Sequence, residues 1–186
     1  LRSYCELPAV TADGKNISMQ ANIEFLQEAD IALDNGAQGI GLLRTEFMYM
    51  ARSQPPTEEE QFQSYKKAAE LFAPFPVTIR TLDIGGDKFV NDICLEDESN
   101  PAMGLRSIRM SLWEKELFHI QLRAILRASA FGNVRLMFPM ISGLAEVRAC
   151  KEIVARVMDE LESEGKGFNR DIEIGIMVET PSAVFI

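Results

Sequence analysis

Apolar and polar positions change period several times along the chain, and each change marks an element. Residues 17–23 alternate and predict a first strand. Residues 24–35 set Phe25, Leu26, Ala29, Ile31, Ala32 and Leu33 inward on a helix that Asn35 and Gly36 stop. Residues 38–46 form an apolar second strand ending on Arg44, Thr45 and Glu46, with glycines that mark close backbone approach. After Pro55 and Pro56, Thr57 and Glu60 have the spacing of a capping box. The helix they open carries Phe62, Tyr65, Ala68, Ala69 and Phe72 on one face.

The chain is organised around residues 77–88. Val77, Thr78 and Ile79 are β-branched and predict a buried third strand, which ends at Arg80 and Asp83. Gly85 and Gly86 follow, permitting positive φ and close approach to a ligand, and then Asp87 and Lys88. Residues 91–100 are an acidic excursion, and Pro101 suits the start of a short helix continuing through 104–109. A longer helix is expected over 114–131, a fourth strand over 134–139 and a fourth main helix over 144–164. A turn spans 165–169, and a fifth strand, 172–181, carries Glu179 at its carboxyl end. Ser182 is placed to cap a last helix.

Strand–helix units of about 30 to 50 residues argue for an α/β fold with a parallel sheet. No Gly-x-Gly-x-x-Gly follows the first strand, so a dinucleotide-binding fold has no support. A (β/α)8 TIM-type barrel takes about 250 residues. The 186 residues here are read as one partial barrel domain, the first five units of eight.

Composition narrows the chemistry. With 47% hydrophobic and 25% charged residues, the chain has the apolar content for a core. A net charge of −9 argues against nucleic acid and anionic membrane as partners, so any anion must be held by local arginines. The apolar runs fall far short of the ~20 residues of a membrane span. With Cys5, Cys94 and Cys150 scattered and unsuited to metal spacing, the expected location is the cytoplasm.

In a barrel, strand ends converge on one face, bringing Arg44, Arg80 and Glu179 together. Two arginines can grip phosphate or carboxylate oxygens, and a carboxylate can help hold Mg²⁺. The residues alone therefore support a site for a small phosphorylated or carboxylated anion, without choosing a reaction. Arg44 and Arg80 could equally be structural partners of Glu46 and Asp83. Asp83 and Asp87 fit a role in orienting Arg80. His119, the only histidine, lies within a helix and reads as structural or surface.

Seven segments in order carry a resemblance: Gly39-Ile-Gly-Leu-Leu-Arg-Thr-Glu-Phe-Met48, Thr57-Glu-Glu-Glu-Gln-Phe62, Arg80-Thr-Leu-Asp-Ile-Gly-Gly-Asp-Lys88, Asn100-Pro-x-x-Gly-Leu-Arg106, Gln121-Leu-Arg-Ala-Ile-Leu-Arg-Ala-Ser129, Met137-Phe-Pro-Met140 and Gly175-Ile-Met-Val-Glu-Thr-Pro181. Together they resemble the carboxyl-terminal domain of the phosphoenolpyruvate–protein phosphotransferase family, Enzyme I of the bacterial sugar phosphotransferase system. The resemblance implies transfer of the phosphoryl group of phosphoenolpyruvate to a histidine on a separate domain, then to a small histidine phosphocarrier protein.

By the same resemblance Arg44, Arg80 and Arg106 contact phosphoenolpyruvate, Glu179 is one of two Mg²⁺ ligands, and the domain forms a homodimer. The family's second metal ligand with its neighbouring asparagine, a further arginine, the proton-donating cysteine and the phosphorylated histidine have no match in these residues. The fragment alone is expected to be inactive and, with unclosed strand edges, to self-associate. The pyruvate phosphate dikinase and phosphoenolpyruvate synthase branch, and a non-catalytic half-barrel for ligand binding, are the rival readings.

Overall fold

The computed structural model describes Cys5 and residues 7–50, 52–85 and 104–186. Five strands form one sheet in the order β1 (Ala21–Ile23), β2 (Ile40–Arg44), β3 (Val77–Arg80), β4 (Val134–Phe138) and β5 (Glu173–Ile176). Every neighbouring pair is parallel. The helices are α1 (Glu28–Asp34), α2 (Glu58–Phe72), α3 (Ser107–Trp113), α4 (Lys115–Ala128), α5 (Leu144–Ser163) and α6 (Pro181–Phe185). The expected α/β class with a parallel sheet is therefore present. No helix among the described residues is long and apolar enough to cross a membrane.

Alternation along the strands sorts the two faces of the sheet. Val77, Ile79, Val134, Leu136 and Phe138 are buried in one cluster with Phe72 of α2, and with Phe118, Leu122 and Leu126 of α4. The alternate residues Thr78, Arg135 and Met137 are half-buried. This is the pattern of a sheet with helices against one face. Phe118 and Phe138 meet edge-on, with ring centroids 6.1 Å apart. Gly39 lets β2 lie close to β3: its φ is +124°, and a Cβ there would sit 2.5 Å from the Pro76 carbonyl oxygen.

The capping box opens α2 as expected: Glu60 N–H donates to Thr57 Oγ1 at 3.2 Å, and Thr57 N–H to Glu60 Oε2 at 2.8 Å. Other boundaries differ from the sequence reading. The first helix starts at Glu28 rather than residue 24, because Glu24 and Phe25 form a turn whose N–H groups both donate to Glu28 Oε2. Phe25 and Ile31, expected inward, are 49% and 63% exposed.

Arg106 is not helical. It is extended, bridges Gly85, and stands at the N-cap of α3. α4 ends at Ala128, three residues before Phe131. β5 is confined to Glu173–Ile176, and Thr180 rather than Ser182 caps α6, accepting from Ala183 N–H at 3.3 Å. The Gly86–Lys88 turn, Cys94, the acidic excursion and the helix start at Pro101 lie outside the described residues.

Candidate functional site

Arg44 and Arg80 close β2 and β3, and the parallel register sets them opposite one another. Glu46 stands in the single 3₁₀ turn that follows β2 and joins them. Its Oε1 accepts from Arg44 Nε at 2.8 Å and from Arg80 Nη2 at 2.7 Å. On the far side, Arg80 Nη1 pairs with Asp83 Oδ2 at 2.8 Å, and Arg106 Nη2 lies 3.6 Å from Asp83 Oδ1. Ser107 Oγ donates to the same Asp83 oxygen. Glu24, just beyond β1, pairs with Arg44 Nη1. A continuous ion-pair chain thus runs Glu24–Arg44–Glu46–Arg80–Asp83–Arg106 across the carboxyl ends of three strands.

Burial differs along that chain. Arg80 and Glu46 are 6% and 5% exposed, whereas the Arg44 and Glu24 side chains each keep about a third of their surface in solvent. The hydrogen bond to Glu46 raises the Arg44 pKa above its ordinary value against partial burial, so Arg44 is held charged. Among the described residues, Glu46 Oε2, Arg80 Nε and Arg106 Nε are buried without a hydrogen-bond partner. Buried polar atoms left unpaired are rare in folded proteins, and these three lie within one chain of fixed charges. Arg80 Nη1 also approaches Met177 Sδ at 3.5 Å, which brings the end of β5 to the same face.

A second, fully buried network stands behind the arginines. Gln121 of α4 accepts from Leu82 N–H at 2.9 Å, and its amide donates to Thr45 Oγ1 at 3.1 Å and Tyr65 Oη at 3.4 Å. Thr45 Oγ1 donates to the Arg80 carbonyl at 2.9 Å. Tyr65 and Tyr49 both donate to Gln61 Oε1 at 3.1 Å, and burial pushes both phenols above their ordinary pKa, so they remain neutral donors. One glutamine on an outer helix thereby holds the segments after β2 and β3 in fixed relation.

Glu179 follows β5 by three residues and is exposed. Its Oε1 accepts from Met140 N–H at 2.7 Å, which fixes the carboxylate against the end of β4. Among the described residues, Ser107 and Met140 are the non-glycine residues with positive φ, at 52° and 53°, and they hydrogen-bond Asp83 and Glu179 respectively. Such backbone strain gathers at ligand sites. No group of three or more His, Cys, Asp or Glu able to hold a metal is found among the described residues. Glu179 stands as a single oriented carboxylate.

The structure brings Arg44, Arg80 and Arg106 into one chain of charges and leaves Glu179 on the Met140 N–H, without an ion pair among the described residues. His119 lies elsewhere, its Nε2 2.5 Å from Glu160 Oε2 between α4 and α5, so it has the carboxylate partner that the sequence did not reveal. Glu24, Thr45 and Gln121 escaped the sequence reading as site residues. Glu24 was open to the strand-end argument, since it immediately follows β1. Gln121 was not, because it contacts Thr45 from 76 positions away.

Comparison with known proteins identifies the family. Residues 1–186 match the family described as PEP-utilising enzyme, PEP-binding domain. The phosphoenolpyruvate-protein phosphotransferase of Haemophilus influenzae is 49% identical over 178 residues, covering 96% of this chain and 31% of that protein. The protein of the same name from Buchnera aphidicola is 48% identical over 100% of this chain and 33% of its own length. That from Staphylococcus aureus is 46% identical over 98% and 32%. The chain spans about a third of the length of these relatives. It belongs to the family of PEP-utilising enzymes, in their PEP-binding domain.

Proposed function

We propose that this chain supplies the phosphoenolpyruvate-binding face of a phosphoenolpyruvate–protein phosphotransferase. The observation that carries the proposal is the pairing of Arg44 and Arg80, register partners on adjoining strands held by one oxygen of Glu46. Phosphoryl transfer asks mainly for positioning and for cations on the phosphoryl oxygens. Arg44 and Arg80, with Arg106 beyond Asp83, offer three guanidinium groups for phosphate and carboxylate. Glu46 and Asp83 fix their directions before the ligand arrives, so little ordering remains to be done on binding. The names of the relatives favour this reading over the dikinase or synthase branch.

Glu179, exposed and oriented by Met140 N–H, fits a Mg²⁺ ligand that is completed by substrate and by residues outside this chain. Bound Mg²⁺ would neutralise enolate charge as the phosphoryl group leaves. The residues described here bind and orient; the histidine acceptor and the phosphocarrier protein belong to the rest of the reaction. We further assign the parallel order β1 to β5 to the first five units of a (β/α)8 barrel closed by later strands, in a cytoplasmic homodimer.

The test is to incubate the full-length polypeptide carrying this domain with Mg²⁺ and phosphoenolpyruvate labelled in its phosphoryl group. An acid-labile protein label that passes to a small carrier protein, and that falls steeply in Glu179→Gln, is expected. Labelling that depends on adenine nucleotide would replace this reading with the dikinase or synthase one.

A further inference from the structure

Among the described residues, the strand-end cluster contains three arginines and three carboxylates, and so carries no net charge before a ligand binds. An anion entering it gains little Coulomb attraction unless one carboxylate withdraws. The three carboxylates are not equally free to do so. Glu46 binds two arginines and its side chain is 7% exposed. Asp83 binds Arg80, Arg106 and Ser107 and is 13% exposed. Glu24 holds Arg44 alone, and its side chain is 34% exposed.

Glu24 also has somewhere to go. Together with Arg44 it lines a cavity of about 390 Å³, whose wall includes Phe25, Phe47 and Lys67. Lys67 is exposed and forms no ion pair among the described residues. It offers a cation to a carboxylate that turns into the cavity. The backbone of Glu24 stays anchored throughout, because its N–H donates to Glu28 Oε2 at 2.7 Å.

We infer that Glu24 is an affinity-determining residue: it occupies Arg44 in the ligand-free site as an internal stand-in for the anionic substrate, and substrate must displace it. The inference rests on the proposed role of Arg44 in gripping phosphoenolpyruvate. It makes a prediction opposite in sign to ordinary damage at a site, since removing the Glu24 charge should tighten binding.

The experiment is calorimetric titration of phosphoenolpyruvate into the full-length polypeptide, comparing wild type, Glu24→Gln and Arg44→Ala. Glu24→Gln should lower Kd about three- to fivefold, the scale of one half-exposed ion pair. Glu24→Ala carries the same expectation should the glutamine variant fold poorly. If the Glu24 variants bind no more tightly while Arg44→Ala weakens binding, the inference is overturned and the proposed function stands. If Arg44→Ala leaves Kd unchanged, the assigned role of Arg44 falls, and the inference falls with it.

Discussion

Arg80 Nη2 donates to Glu46 Oε1 at 2.7 Å, a link between two almost fully buried side chains on adjoining strand ends. Removing one member of a buried pair leaves the other charge uncompensated, at a cost of about 3–5 kcal/mol. Glu46→Ala should lose stability on that scale, because it strips the shared acceptor from Arg80 and Arg44 together. Glu46→Gln should lose less, as its amide oxygen can still accept from both. Urea unfolding of the variants measures the difference, and an undiminished Glu46→Ala would show that the pair does not brace the site.

Gln121 ties Leu82 N–H and Thr45 Oγ1 to α4 from a fully buried position. Gln121→Leu is close in volume and leaves those groups without their partner. Buried unsatisfied groups cost about 1–3 kcal/mol each, so a loss of about 2–4 kcal/mol is expected. The Leu82 amide should also lose protection in hydrogen exchange by more than the global destabilisation accounts for. Uniform loss of protection across the sheet would mean that Gln121 packs without positioning the strand ends.

Below neutral pH stability should depend on the ion pairs by which Arg123 of α4 holds Glu58 of α2 and Glu164 at the end of α5. The bond from Arg123 draws Glu164 down from 4.5 to about 2, and the backbone N–H of Thr57 does the same for Glu60. Burial works to raise Glu58, but bonds from Arg123 and Arg127 outweigh it and leave its pKa lowered. Carboxylates with depressed folded pKa values contribute stability above their unfolded value, and that contribution is lost as pH falls through the folded one. The melting temperature should therefore drop between about pH 4.5 and 2, and Arg123→Gln should flatten the drop. An equal slope in that variant would place the acid sensitivity elsewhere.

Much of the fold was legible in the sequence because its signals are local. The β-branched run at Val77–Ile79, the alternation in β4 and the Thr57–Glu60 capping box each specify backbone within a few residues. The site was legible in part, since strand-end arginines stand out wherever a strand ends. Glu24 was open to the strand-end argument but was assigned to the helix because Phe25 and Leu26 continue a helical spacing, whereas Phe25 packs against Phe47 with ring centroids 5.0 Å apart and the planes tilted by 53°. Arg106 was read as helical from its neighbours, whereas its bridge to Gly85 is a contact between segments that sequence spacing does not encode. The shared acceptor at Glu46 and the Gln121 network are long-range geometry of the same kind.

The central claim is that the braced strand-end arginines bind phosphoenolpyruvate. Its most direct test is calorimetric titration of phosphoenolpyruvate with Mg²⁺ into the folded full-length polypeptide, beside Arg80→Ala checked for native circular dichroism. Saturable binding to wild type and a loss of at least about a hundredfold in the variant are predicted, the scale of a desolvated arginine–anion contact. Binding of equal affinity in a folded Arg80→Ala protein would contradict the account and return Arg80 to a purely structural role.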